Sequence, residues 1–189
     1  MRIAIFGGTF NPIHKGHMCL AKQATNTLKL NKVVFVPAYI PPHKSSQGIM
    51  DADKRFHMIE LAISGKANFS VSRYEIDIKK KVYSVDTATH FKKFFPKNTQ
   101  LFFLAGADSL KGLGQWKDSD KLIDICEFVV FSRPGFELDT KTPRIKTIKM
   151  AALDISSTHV RECIKKDKSI TGLVPKTVAD YIKSKNLYR

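Results

Sequence analysis

The sequence predicts an α/β fold with a doubly wound, mostly parallel sheet, helices on both faces and a helical segment at its C-terminal end. Short β-branched and aromatic runs alternate with stretches of helical periodicity, which is the pattern of repeated βαβ units. Glycine or proline follows several apolar runs, where a strand would give way to a loop. The chain's 189 residues match one domain, so we expect a single domain over residues 1–189, with its helical part at about 155–189.

Six apolar runs are predicted as strands. Residues 2–6 (RIAIF) end at a glycine pair, residues 32–36 (KVVFV) end at Pro37, and residues 100–105 (QLFFLA) end at Gly106. All three are short and rich in the residue types that strands favour. The predicted strands are residues 2–6, 32–36, 69–72, 100–105, 127–131 and 147–150.

Helices are predicted between these runs and after the last of them. Residues 17–28 and 51–64 repeat their apolar side chains at helical spacing, and residues 84–94 stop just before Pro96. The predicted helices are residues 17–28, 51–64, 84–94, 119–125, 157–165 and 176–185.

Charge and cysteine content narrow the classes of partner. The chain carries 32 Lys and Arg against 17 Asp and Glu, a formal net charge of +15 that attracts anions. A solvated basic surface, a nucleic acid and small phosphorylated ligands are all compatible with this charge. The absence of an apolar run of about 18 residues argues against a membrane-spanning helix. Three widely spaced cysteines predict free thiols, so we expect a cytoplasmic protein.

The segment GGTFNPIHKGH, residues 7–17, follows the first predicted strand. Ligands in open α/β sheets bind beyond the carboxyl ends of the strands, and a helix N-terminus attracts anions. His14 and His17 flank Gly16 and could both face one anionic group. The segment lacks the spacing of a Walker A loop or a dinucleotide fingerprint, and no third metal ligand stands nearby at a zinc-like spacing. A structural turn with two unrelated histidines is the alternative.

A second candidate segment, ISSTHVR, covers residues 155–161. Ser156 or Ser157 could cap the helix that starts here, or could hold phosphate oxygens together with the first N–H groups of that helix. Arg161 lies about one turn into the helix and could reach the same anion. A capped helix with one surface arginine is the alternative.

Together, the two segments resemble the H-x-G-H and I-S-S-T-x-x-R signatures of the nucleotidyltransferase superfamily that is related to class I aminoacyl-tRNA synthetases. Within it, the chain is similar to the bacterial nicotinate mononucleotide adenylyltransferases, which have a Rossmann-like fold. The resemblance covers nearly the whole chain. Its further motifs are PPHK (41–44), YSVDT (83–87), GADS (106–109) with Trp116 downstream, SRPG (132–135) and the closing stretch from Leu173 to Tyr188.

The resemblance implies that the 5′-phosphate of nicotinate mononucleotide attacks the α-phosphorus of ATP and that pyrophosphate leaves. His14, His17, Lys44 and Arg161 are then the expected catalytic residues, with His17 on the α-phosphoryl oxygens. Mg²⁺ is expected on the ATP phosphates. The residues expected to bind ATP are Gly7, Gly8, Thr9, Phe10, His14, His17, Gly106, Asp108, Ile155, Ser156, Ser157 and Arg161.

The second substrate is expected to meet a different group of residues. Trp116 is the sole tryptophan, and its flat indole suits stacking on a pyridine ring, with a core position as the alternative. The resemblance places the Asp-Thr pair of residues 86 and 87 beside the nicotinate or its ribose. Lys117 follows Trp116 where relatives often carry another aromatic residue. The residues expected to bind this substrate are Lys44, Asp86, Thr87, Trp116 and Arg133.

One departure from the family and two rival functions remain. Asn11 stands where many superfamily members have Asp, and we expect it to bond backbone groups rather than take part in chemistry. Another adenylyl- or cytidylyltransferase is the nearest rival. A basic nucleic-acid-binding module is the rival from a different class, but the aromatic residues lie mainly in strand-like runs and no nucleic-acid partner is expected. The oligomeric state stays open, a homo-oligomer included.

Overall fold

The computed structural model describes residues 1–42, 47–106, 116–132, 145–149 and 155–189. Within these residues a six-stranded sheet has the strand order β3-β2-β1-β4-β5-β6, and every neighbouring pair is parallel. The strands are β1 (Arg2–Gly8), β2 (Lys32–Pro37), β3 (Phe69–Val71), β4 (Gln100–Gly106), β5 (Glu127–Ser132) and β6 (Ile145–Lys149). The predicted doubly wound parallel sheet is confirmed.

Helices occupy both faces of this sheet. They are α1 (Lys15–Thr27), α2 (Ala52–Ile63), α3 (Tyr74–Ile78), α4 (Ser84–Phe94), α5 (Ser119–Ile125), α6 (Ser157–Lys165) and α7 (Lys176–Ser184). Six of them overlap the predicted helices, and α3 was not predicted. It has five residues, which is too short for apolar side chains to repeat on one face.

Alternation along the strands divides the core in two. In β1, Ala4 and Phe6 join a buried cluster with α1, α2, α6 and α7, whereas Ile3 and Ile5 join a second cluster with α4 and α5. Side chains of a strand point alternately to opposite faces, so one strand supplies both clusters. The C-terminal helices α6 and α7 therefore share their core with the first helix of the chain.

The first strand is longer than predicted. We expected it to end at Phe6, but Gly7 and Gly8 continue the ladder and pair with Val36 and Pro37. Small residues are needed here because a β-carbon on Gly8 would lie 2.9 Å from the ring of Phe10. The glycine pair therefore lies at the carboxyl end of the strand.

The direction of winding reverses between β1 and β4, which are neighbours in the sheet. One connection leads from β1 outward to β2, and the later strands continue on the other side. A crevice forms at such a point beyond the carboxyl ends of the strands, where ligands of doubly wound folds bind. The segment after β1 opens into this crevice.

A buried carboxyl group joins α3 to α4. The hydroxyl of Thr87 donates to Oε1 of Glu75 at 2.6 Å, and both side chains are buried. Burial raises the pKa of Glu75 to about 7, while the Thr87 hydrogen bond and the Arg55 charge act in the opposite direction. The folded protein therefore holds a proton on Glu75 more tightly than the unfolded chain does.

This raised pKa predicts a pH-dependent stability. The stabilising contribution of protonated Glu75 is fully present below the unfolded pKa of 4.5 and is lost as the pH rises through about 7. Glu75→Gln removes the titration. We expect the unfolding free energy of the variant minus that of the wild type to rise by up to about 3 kcal/mol between pH 4.5 and a pH above 7. Urea titrations across this range measure the gap, and a gap that stays constant with pH would contradict the prediction.

Candidate active site

The two motif segments are in direct contact at the carboxyl edge of the sheet. The hydroxyl of Ser157, the first residue of α6, donates to the carbonyl of Pro12 at 2.9 Å across 145 residues of sequence. Nη1 of Arg161 donates to the carbonyl of Asn11 at 2.8 Å. The turn after β1 and the start of α6 therefore form one continuous surface.

Gly16 allows the closest part of this approach. A β-carbon at residue 16 would lie 3.0 Å from the imidazole of His14 and 3.5 Å from the carbonyl oxygen of Ile155. The imidazole would have to move if residue 16 had a side chain. Glycine between the two histidines is thus a packing requirement that involves both motifs.

The two imidazoles lie against each other at the start of α1. Their ring centroids are 3.7 Å apart with an interplanar angle of 29°, and His14 is buried whereas His17 is half-buried. The backbone N–H of His14 donates to Nδ1 of His17 at 3.2 Å. Since Nδ1 accepts this bond, the neutral ring of His17 carries its proton on Nε2. His17 is therefore oriented as a hydrogen-bond donor.

Phe10 supports the imidazole of His17 from the core side. Its backbone adopts the left-handed conformation with φ of 48°, and its buried ring lies 5.0 Å from the ring of His17. The same ring contacts Phe6 and Phe35 within the apolar cluster. The side chain of Phe10 thus belongs to the core.

Asn11 bonds backbone groups, as expected. Its Oδ1 accepts from the N–H of Met50 at 3.1 Å, and its Nδ2 donates to the carbonyl of Gly48 at 3.1 Å. These bonds tie the turn after β1 to the segment that leads into α2. An aspartate could accept the first bond but could not donate the second.

Several groups that could bind phosphate already form hydrogen bonds within the protein. The N–H of Lys15, at the start of α1, donates to the carbonyl of Leu173 at 2.8 Å. Ser156 is the N-cap of α6, because its hydroxyl accepts from the N–H of His159 at 3.0 Å. Nη2 of Arg161 donates to Oγ1 of Thr158. The capping alternative for Ser156 is therefore what the structure contains, and the first N–H groups of α6 point out of the helix.

Of the residues expected to meet the second substrate, Trp116 and the Asp86-Thr87 pair lie on the other face of the sheet. Trp116 is half-buried, with its indole edge-to-face against Phe103 and Phe128 at 6.2 and 5.8 Å. The ammonium group of Lys117 lies 4.9 Å from the ring of Tyr83, which precedes α4. The structure thus brings the Trp116 segment beside the start of α4.

Asp86 and Thr87 have different surroundings at that helix start. Asp86 is exposed, and its Oδ2 accepts from the N–H of Tyr83 at 3.3 Å, which caps the helix. Thr87 is buried, and its hydroxyl is committed to Glu75. Of this pair, only Asp86 is exposed, and Thr87 is buried as a whole residue.

The remaining candidates divide into described and undescribed residues. Gly106 ends β4 and pairs with Phe131, next to the crevice, and Ile155 is buried under the start of α6. Lys44, Asp108 and Arg133 lie outside the described residues.

Two buried charged residues beside the site were not singled out from the sequence. They are Arg55 on α2 and Glu75 on α3. Arg55 shares a helical stripe with the buried residues Met58, Ile59 and Ala62. An arginine on the apolar stripe of an amphipathic helix is the signal that could have found it.

The described residues contain no group of three or more His, Cys, Asp or Glu side chains arranged to hold a metal ion. None of their helices has both the length and the apolar character to cross a membrane.

Known proteins resemble this chain over nearly its whole length. The family model described as Cytidylyltransferase-like matches residues 5–163. A protein of Clostridium tetani named "Probable nicotinate-nucleotide adenylyltransferase" is 42% identical, covering 98% of both chains. One of Moorella thermoacetica with the same name is 41% identical, covering 100% of this chain and 92% of its own.

Solved structures share the fold. The nicotinic acid mononucleotide adenylyltransferase of Plasmodium falciparum complexed with NaAD has a TM-score of 0.80 at 24% identity, covering 99% of this chain and 97% of its own. The same enzyme complexed with APC has a TM-score of 0.78 at 23% identity, covering 99% and 96%. The chain belongs to the cytidylyltransferase-like family and, within it, to the nicotinate-nucleotide adenylyltransferases.

Proposed function

We propose that this chain transfers the adenylyl group of ATP to nicotinate mononucleotide, which yields nicotinate adenine dinucleotide and pyrophosphate. The observation that carries the proposal is the contact between the start of α6 and the turn after β1 that bears His14 and His17, here called the histidine turn. It places imidazole donors, a guanidinium group and a helix N-terminus around one crevice edge. Such a set of donors suits a polyphosphate. The full-length relatives bear the name of this activity.

The reaction needs no nucleophile from the protein. A 5′-phosphate oxygen of nicotinate mononucleotide forms a bond to the α-phosphorus of ATP, and the bond from that phosphorus to the bridging oxygen of pyrophosphate breaks. Catalysis of such a transfer rests on alignment of the two phosphates and on stabilisation of the charge that develops between them.

His17 donates to the α-phosphoryl oxygens in this proposal. Its Nδ1 is held by the N–H of His14, so Nε2 presents the proton toward the crevice. The rings of Phe10 and His14 fix the plane of the imidazole before the substrate arrives. A donor fixed in advance stabilises developing charge without reorganisation in the transition state.

Arg161 binds the β- and γ-phosphates in this proposal. Two of the five N–H donors of a guanidinium group are used on Asn11 and Thr158. The other donors remain for phosphate oxygens. They lie beside the N-terminus of α6, where Ser156 and Ser157 lie and where backbone N–H groups bind anions. Lys44, which follows β2 in the sequence, adds positive charge. Mg²⁺ would be held mainly by the phosphate oxygens of ATP and would supply charge neutralisation there.

The pyridine ring stacks on Trp116 in this proposal. The rings of Phe103 and Phe128 pack against the indole at nearly right angles to it and hold its plane. In this proposal, Asp86 contacts the second substrate and Thr87 supports it from the core, while Asp108 and Arg133 serve the ribose and the anionic groups. We further propose a single domain over residues 1–189 and a cytoplasmic location, to which the free thiols of all three cysteines are suited. A homo-oligomer is compatible with this assignment.

A direct assay tests the function. Purified protein with Mg²⁺, ATP and nicotinate mononucleotide is expected to release pyrophosphate and to form nicotinate adenine dinucleotide, and neither product forms when the mononucleotide is omitted. Nicotinamide mononucleotide and CTP, each replacing its counterpart, are expected to give lower kcat/KM. Values of kcat/KM equal to or above those for nicotinate mononucleotide and ATP would contradict the proposed substrate specificity. Absence of pyrophosphate together with a salt-dependent gel shift on RNA or DNA would favour the nucleic-acid-binding alternative.

His17→Ala is expected to lower kcat by about 10²-fold or more, the usual scale for losing a fixed transition-state donor. Steady-state kinetics with both substrates saturating measures the change. His57→Ala is the matched control, because His57 is exposed on α2 and pairs with Glu60 away from the turn. A His17 variant as active as this control would refute the assignment.

Trp116→Ala is expected to raise the KM for nicotinate mononucleotide by about tenfold, the scale of one lost ring stack, with little change in the KM for ATP. Trp116→Phe keeps a flat ring on Phe103 and Phe128 and should lie between the variant and the wild type. Thermal unfolding of both variants separates a substrate effect from loss of core packing. A defect confined to ATP would move Trp116 to the other subsite.

A further inference from the structure

The hydrogen bonds of Arg55, a buried cation, go to the backbone. Only 1% of its surface is exposed. Among the residues that the structure describes, no Asp or Glu forms a direct ion pair with it, and the charges of Asp51 and Glu75 act on it only from a greater distance. Burial of a charge costs stability unless hydrogen bonds compensate for the lost water. The hydrogen bonds of Arg55 therefore decide what the residue does.

Four backbone carbonyls accept those hydrogen bonds. Nε donates to Met50 at 2.8 Å, and Nη1 donates to Thr9 at 2.7 Å. Nη2 donates to Ala38 at 2.7 Å and to Tyr39 at 3.3 Å. All three nitrogens of the guanidinium group are thus bonded to main chain and none to a side chain.

These carbonyls come from three separate segments. Thr9 lies in the turn after β1, Ala38 and Tyr39 follow β2, and Met50 directly precedes the N-cap of α2. The N–H of Met50 is held in turn by Asn11 of the first segment. Arg55 therefore joins the ends of two neighbouring strands to each other and to its own helix.

Phe10 links Arg55 to the imidazoles. Thr9, whose carbonyl Arg55 binds, precedes Phe10, and the ring of Phe10 lies against His17. Phe10 holds a left-handed backbone conformation that a phenylalanine rarely adopts, so neighbouring contacts must maintain it. The bond at Thr9 is one of these contacts.

We propose that Arg55 is a positioning residue that sets the distance between the histidine turn and the loop after β2 by bonding the carbonyls of both. The inference rests on the proposed function only in what the positioned imidazole does to ATP. Arg55 does not touch the substrate. Its planar fork donates from three separate nitrogens, whereas a lysine donates from one nitrogen only.

Arg55→Lys tests the proposal, since it keeps the charge and removes the fork. We expect kcat to fall by about 10²-fold, because a small misplacement of a catalytic group costs this much, while the KM values for both substrates change far less. Arg73→Lys is the matched control. Arg73 is half-exposed and pairs with Asp53 and Asp77, so the same substitution there should leave kcat and KM unchanged.

A second variant keeps the proposal testable if the Arg55→Lys protein does not fold. Arg55→Ala leaves a space of guanidinium shape, and added guanidinium at concentrations far below those that denature the wild type should restore most of the lost kcat. Equal concentrations of ammonium chloride should restore none. A purely structural Arg55 predicts lowered thermal stability with wild-type kcat in the folded fraction, and this result would overturn the proposal. Rescue by ammonium as well as by guanidinium would also overturn it.

An activity-independent measurement separates this proposal from the proposed function. In proton–nitrogen spectra of the imidazoles, Arg55→Lys should shift the ring signals of His14 and His17 and leave that of His159 in place. This readout requires no substrate, so it applies even if the wild type forms no dinucleotide. Unshifted signals of His14 and His17 in a folded Arg55→Lys protein would contradict the positioning role.

Discussion

The site depends on the contact between the turn after β1 and the start of α6. Ser157 and Arg161 reach the carbonyls of Pro12 and Asn11, and Gly16 leaves the space in which His14 approaches Ile155. Side chains of α6 donate to backbone carbonyls of the turn, so these hydrogen bonds fix the position of one segment relative to the other. The imidazoles, the guanidinium group and the N-terminus of α6 take their relative positions from this one contact.

Hydrophobic burial brings the two segments to the same place. Val160 of α6 and Val178 of α7 are fully buried in the same apolar cluster as Phe6 and Phe10. Burying side chains of this size stabilises the fold by about 1.5–3 kcal/mol each, which outweighs the single hydrogen bonds at the site. Burial in the apolar cluster thus stabilises the contact between the two segments, and the polar contacts determine its geometry.

Much of the fold was predictable because burial leaves a direct mark on the sequence. Continuous apolar runs such as 100–105 indicate strands covered on both faces, and the helical stripes of α1 and α4 indicate one covered face. The helix α3 left no such mark, since five residues cannot show a period. The continuation of β1 through Gly7 and Gly8 was missed because glycine has no side chain to report a face.

The site was predictable as two motifs but not as a set of contacts. Histidine and glycine at fixed spacing, and serine before an arginine, suggested anion binding from their chemistry. The partners of Arg55 are main-chain carbonyls of three segments, and a sequence pattern does not distinguish one carbonyl from another. The commitment of Thr87 to Glu75 likewise depends on how α3 and α4 meet, which single-residue types do not encode.

The bond from the N–H of Lys15 to the carbonyl of Leu173 has a consequence for the order of biosynthesis. A ribosome delivers the N-terminal part of a chain first, at roughly 5–20 residues per second. The histidine turn leaves the ribosome many seconds before Ser157 and Leu173 do, and until then its polar groups face water. A nascent chain therefore holds the turn after β1 without its hydrogen bonds to Ser157, Arg161 and Leu173, and competence to react arises only when the last helices dock.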